Sequence, residues 1–125
     1  MDSNMLFDRG SAELKQGILA EFKDVAEFIR SQKPSKLIIE GHTNSDGDSD
    51  YNDRLSQLRA EAVRELMISQ FEFIDPSVLV AKGYGEDRPL VANDSAKNKA
   101  LNRRIEFVVW WEGVEARADV TVDQQ

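Results

Sequence analysis

The chain contains no cysteine. Disulfides and thiolate metal centres are therefore excluded, and the compartment must be read from other features. A single histidine, His42, excludes a metal cluster built on several imidazoles. No stretch approaches the ~18 apolar residues that span a bilayer. Met1-Asp2-Ser3-Asn4 lacks the basic and apolar regions of an export signal, so Met1 is expected to start an excised piece whose parent supplies the signal or membrane anchor. Positive charge is scarce: 16 Lys and Arg stand against 23 Asp and Glu, a net charge of −7. That balance argues against a nucleic-acid surface, which demands clustered Lys and Arg, and against general attraction to anionic membranes. Repeats and low-complexity tracts are also missing. The 125 residues, 41% apolar and 31% charged, read as one soluble domain with one core.

Met5-Leu6-Phe7 reads as a first short strand, followed by the loop Asp8 to Ser11. From Ser11, a favourable N-cap, a helix is predicted to about Ser31, with Leu14, Ile18, Val25 and Ile29 on one stripe. Gly17 weakens it and Pro34 stops it. Lys36 to Glu40 forms the next strand, its Leu37-Ile38-Ile39 run indicating burial on both faces. A second helix is predicted from about Tyr51 to Gln70, with Leu55, Leu58, Ala62 and Leu66 on one face. After the turn Asp75-Pro76-Ser77, Val78 to Gly83 reads as a strand and Gly85 to Asn98 as a long loop. Arg103 to Glu112 alternates as the last strand, with Ile105, Phe107, Val109 and Trp111 on one side. The order β-α-β-α-β-β predicts an α+β fold, a mixed sheet with two main helices packed on one face. The domain is expected to occupy residues 1–112, with 113–125 a polar tail, mobile or leading to further sequence.

Chemistry concentrates between Gly41 and Arg59. A strand ends in a polar, glycine-containing loop that leads into a helix, where Asn52 and Arg59, about two turns apart, share a face. Donors thus stand above a pocket and a cation below it. Asp46-Gly47-Asp48-Ser49-Asp50 alternates carboxylates as an EF-hand loop does. The sixth position, however, is Tyr51 where glycine is needed, and the twelfth is Gln57 where glutamate is needed. The stretch reads instead as a solvated acidic loop in which Asp50 or its neighbour caps the helix, and no metal is predicted. Gly83-Tyr84-Gly85 lacks the third glycine and strand-to-helix setting of a nucleotide site. His42 reads as a loop-fixing residue, since Ser45 and Asp46 beside it do not make a triad. With no acid pair, nucleophile or metal cluster at recognisable spacing, no catalytic residue, enzymatic activity or cofactor is predicted.

Gly41-His42-Thr43, Tyr51-Asn52, Leu55-Ser56, Arg59-Ala60, Gly83-Tyr84-Gly85 with Pro89, and Asn102-Arg103-Arg104 together resemble the OmpA-like peptidoglycan-binding domain. That domain occurs in porin tails, Pal-type lipoproteins and MotB-type stator proteins, and the likeness runs from about Leu6 to Trp111. It implies that the partner is peptidoglycan and that Arg59 grips a carboxylate of the diaminopimelate side chain in the stem peptide. It also implies that Arg103 is on the ligand side and that Arg9 and Gly10 line the cleft through backbone groups. Alternation sends Arg104 to the opposite face, where local acids receive it. Asn52 is expected to fasten the loop and offer its amide, and Thr43 its hydroxyl, with His42, Asp46, Tyr51, Leu55, Asn102 and Arg104 in support. The family usually has aspartate where this chain has Asn44, which keeps an acceptor for the ligand's ammonium but loses the charge, a cost of about 1–2 kcal/mol. Weaker binding, a preference for an amidated stem peptide, and substitution by Asp46 or Asp48 all remain open. The function implied is a non-catalytic periplasmic tether of a larger membrane-associated protein, including a MotB-like stator subunit, with no membrane insertion by this chain. The alternative is an interaction or homodimerisation module that keeps the fold with weakened or lost peptidoglycan binding.

Overall fold

The computed structural model describes residues 1–111 and 114–118. Its first element differs from the predicted strand at Met5 to Phe7. The Asp2 carboxylate accepts the Asn4 N–H at 2.8 Å and caps a short helix, α1 (Ser3–Leu6). So short an apolar run has no period, and the local cap decides its conformation. The long helix predicted from Ser11 is also cut back. Leu14 forms an extended bridge with Phe7, and Gly17 has φ +77°, a left-handed value that interrupts any helix. A 3-10 turn over Leu19–Phe22 leads into α2 (Lys23–Gln32). That helix ends where Lys33 turns left-handed at φ 49° and donates its N–H to the Ile29 carbonyl, just before Pro34.

Next come β1 (Lys36–His42) and α3 (Ser49–Gln70), the latter capped by Asp48, whose carboxylate accepts the Asp50 N–H at 3.1 Å. Asp75 caps a 3-10 turn that opens β2 (Leu79–Gly85). The expected loop gives way before its end to an additional helix, α4 (Ala96–Asn102), capped by Ser95. Its largely polar sequence carries no apolar period to announce it. β3 (Arg104–Trp111) follows, and β4 (Val114–Ala118) pairs with it, so the expected tail begins with a strand. Gly113 and residues 119–125 of that tail lie outside the described residues.

The sheet order is β2-β1-β3-β4, with β1 and β2 parallel and the other pairs antiparallel. This is the mixed sheet expected, with both main helices on one face. Leu37, Ile39, Ile105, Phe107 and Val109 project to that face and meet Val25, Ala26 and Ile29 of α2 and Ala60, Val63 and Met67 of α3. Each large side chain so buried contributes about 1.5–3 kcal/mol.

The face that α3 buries is not the predicted leucine stripe. Asn52, Ser56, Arg59, Ala60, Val63 and Met67 face inward, while Leu58 remains 54% exposed. The cause is the closeness of helix to sheet. A Cβ on Gly41 would lie 2.2 Å from the Ser56 carbonyl oxygen, and one on Gly83 would lie 2.3 Å from the Gln57 nitrogen. Only small residues permit that approach, so Leu58 lies to the flank while Ala62 and Leu66 pack against the margin of the core. The result sets the first turns of α3 over the C-terminal ends of β1 and β2.

Candidate functional site

The loop from Thr43 to Gly47 is shaped by its own polar groups. Thr43 donates its N–H to the Gly85 carbonyl at 2.8 Å and its hydroxyl to the Asn44 carbonyl at 2.8 Å. Asn44 turns its Oδ1 inward to accept the Asp46 N–H at 2.9 Å, and Gly47 supplies a φ of +84°. From the first turn of α3, Asn52 Nδ2 reaches the Asp46 carbonyl at 2.9 Å, the Asn44 carbonyl at 3.4 Å and Glu86 Oε1 at 3.3 Å. An amide nitrogen carries only two hydrogens, so these acceptors share them. Asn52 thereby fixes the loop to the helix.

Arg59 sits two turns further along the same helix. It is buried, its guanidinium lies 5.0 Å from the centre of the Phe7 ring, and it points toward the segment after α1. Nε donates to the Ser11 carbonyl at 2.8 Å and Nη2 to the Asp8 carbonyl at 3.2 Å. Burial pushes the Arg59 pKa down; Tyr51 raises it and the neighbouring Arg103 lowers it further. Arg103 is half-buried and donates Nε to Asn4 Oδ1 at 3.1 Å. Among the described residues, neither guanidinium forms an ion pair with a carboxylate. Gly10, at φ +71°, completes the corner: a Cβ there would lie 3.3 Å from the Tyr51 hydroxyl. Arg59, Arg103, Tyr51 and Gly10 therefore converge, and Thr43 and Asn44 form the adjoining loop, fastened by Asn52 of α3.

Other residues singled out from the sequence lie elsewhere. Asp46 is exposed and pairs with Lys99 of α4 at 3.0 Å. Leu55 is half-buried on the flank of α3. Asn102 is fully buried and secures the segment before α4, accepting the N–H groups of Leu90 and Val91 and donating to the Val91 carbonyl. His42 does not fix the loop as expected. β1 continues through it, and alternation turns Gly41 toward α3 and His42 to the far face. There its ring stacks on Tyr84 at 5.5 Å and its Nε2 lies 3.0 Å from Glu40 Oε1. Arg104 shares that face, donating to Glu106 and to the Arg88 carbonyl.

Sequence reasoning missed Glu86, Lys99 and the Asp8 and Ser11 carbonyls. Glu86 had a signal: parallel strands bring their C-terminal ends to one edge, so the residue after β2 must adjoin the loop after β1. Among the described residues no group of acids and histidine is placed to hold a metal, and no helix is long and apolar enough to cross a membrane.

A profile of the OmpA family matches residues 6–103. Outer membrane porin F of Pseudomonas aeruginosa is 36% identical over 103 residues, which make up 82% of this chain and 29% of that protein. The chain thus spans less than a third of that curated relative. Among solved structures, a MotB-like protein from Desulfovibrio vulgaris superposes with a TM-score of 0.77 at 29% identity, covering 90% of this chain and 73% of that one. The cell wall anchor of the T6SS from Pseudomonas aeruginosa gives 0.76 at 27% identity, covering 90% and 79%.

Proposed function

The chain belongs to the OmpA family, and on that footing we propose that it is a non-catalytic module that anchors a larger protein by clasping an acidic group of peptidoglycan between Arg59 and Arg103. One observation carries the reading. The Arg59 guanidinium is buried against Phe7 with Nε and Nη2 on main-chain carbonyls, and among the described residues no carboxylate pairs with it or with Arg103. Arginine cannot relieve the cost of burying an unpaired charge by losing a proton, because its pKa lies far above physiological pH. An anionic ligand relieves it. Arg59 Nη1, which has no hydrogen-bond partner among the described residues, is then free to donate. A shielded charge-assisted bond of this kind contributes about 1.5–3 kcal/mol.

The ligand group that fits is the free end of a diaminopimelate side chain in the stem peptide, with a carboxylate and an ammonium on one carbon. The carboxylate meets the guanidinium groups and the ammonium faces the loop of Asn44 and Asn52. The likeness to a cell wall anchor and a MotB-like protein supports a periplasmic tether within a membrane-associated parent, with a stator-type subunit as the narrower reading. One small site binds modestly, because few atoms are engaged and several donors must be desolvated. Firm attachment then comes from many copies acting on one wall.

Co-sedimentation with purified sacculi tests this. Wild type is expected in the pellet and Arg59→Ala in the supernatant. Because Arg59 also holds the Asp8 and Ser11 carbonyls, Arg59→Lys is the cleaner probe: it keeps the charge and loses the planar fork, and about tenfold weaker binding is expected. Equal pelleting of wild type and both variants would refute the proposal.

A further inference from the structure

Resting on that reading, we infer that Glu86 supplies the negative charge that receives the ligand's ammonium, in the place of a carboxylate that Asn44 does not provide. Asn44 itself is unsuited to the task, because its amide carries no charge and one lone pair of its Oδ1 already accepts the Asp46 N–H. The neighbouring acids are committed too. Asp46 is paired with Lys99 at 3.0 Å, and Asp48 stands exposed to solvent with its carboxylate turned to the Asp50 N–H at the start of α3. Glu86 differs from both. It reaches the same loop, with Oε1 3.3 Å from Asn52 Nδ2, and it forms no ion pair among the described residues. It is also half-buried, so solvent screens its charge less than that of a fully exposed carboxylate.

The topology puts this carboxylate at the edge of the sheet where the loop beside the cationic crevice begins. β1 and β2 are parallel and end at the same edge, and Glu86 directly follows β2. Side chains on a helix lean toward its N-terminus, and Arg59 holds the Asp8 and Ser11 carbonyls on either side of Gly10, where an added Cβ would lie 3.3 Å from the Tyr51 hydroxyl. Tyr51 adjoins Asn52, the residue that Glu86 touches. Cation and anion therefore flank the first turn of α3. A zwitterionic group laid across that turn meets a charge opposite to its own at each end, whereas a ligand without the ammonium leaves Glu86 facing the ligand's carboxylate.

Calorimetric titration with a diaminopimelate-containing tripeptide, and with the same peptide acetylated on its side-chain amine, separates the possibilities. Wild type is expected to prefer the free amine by about tenfold, the value of one charge-assisted contact. Glu86→Gln keeps an oxygen for Asn52 and is expected to lose that preference, and Asn44→Asp in the Glu86→Gln background is expected to restore it. Restoration also shows that the loop has not collapsed. If Glu86→Gln keeps the preference while Arg59→Lys weakens both peptides, the assignment of Glu86 is overturned and the anion site stands. If wild type binds neither peptide, both proposals are overturned.

Discussion

A buried guanidinium must spend its donors somewhere, and Arg59 divides them between the fold and the crevice. Its face covers Phe7, and Nε and Nη2 hold the Ser11 and Asp8 carbonyls. Removing the side chain should therefore cost stability as well as binding. Arg59→Ala is expected to lower unfolding free energy by about 1–3 kcal/mol, from two hydrogen bonds and one cation–π contact, as read by urea titration. Undiminished stability would mean that those contacts form only transiently. The contact of Asn44 with Asn52 and the shared inward face of Asn52 and Arg59 were legible in the sequence, because a strand, a polar loop and a helical period suffice to produce them. The Asp8 and Ser11 carbonyls were not legible, since a main-chain acceptor has no side-chain signature. Lys99 was hidden for another reason: it sits on a helix whose residues carry no amphipathic pattern.

At the level of elements, the informative departure is α3. Periodicity put Leu55, Leu58, Ala62 and Leu66 on one face and Asn52 and Arg59 on another, and Gly41 and Gly83 let the helix approach so closely that the second face, with Ser56 and Ala60, is the one buried most deeply. Hydrophobicity alone does not report that distance; the small residues on both partners do. Gly41→Ala is accordingly expected to destabilise the protein by about 1–3 kcal/mol, since the added methyl meets backbone that cannot swing aside. The measurement is a shift of the urea midpoint at unchanged slope. The same proximity finishes the sheet edge. Gln57 accepts the Gly83 N–H at 2.7 Å and donates to the Ala81 carbonyl at 3.2 Å, while Arg64 donates to the Leu79 carbonyl at 2.9 Å. These side chains satisfy edge groups of β2 that would otherwise invite another strand.

For the whole molecule, the net charge of −7 sets a condition on the proposed partner. Peptidoglycan is acidic, so an acidic domain approaches it against a repulsive field and binds through a local cationic crevice. The two effects have different ranges. Repulsion between the domain and an extended wall acts over many ångströms and is screened as the Debye length falls from about 30 Å at 0.01 M salt to about 10 Å at 0.1 M. The contact of a ligand carboxylate with Arg59 and Arg103 is short and shielded, and is screened far less. Adding salt over this range is therefore expected to strengthen binding to intact sacculi while leaving affinity for an isolated stem peptide nearly constant. Sedimentation and calorimetry across a salt series would show the divergence. A peptide affinity that fell steeply with salt would instead place the ligand among exposed surface charges, outside the crevice that Arg59 closes.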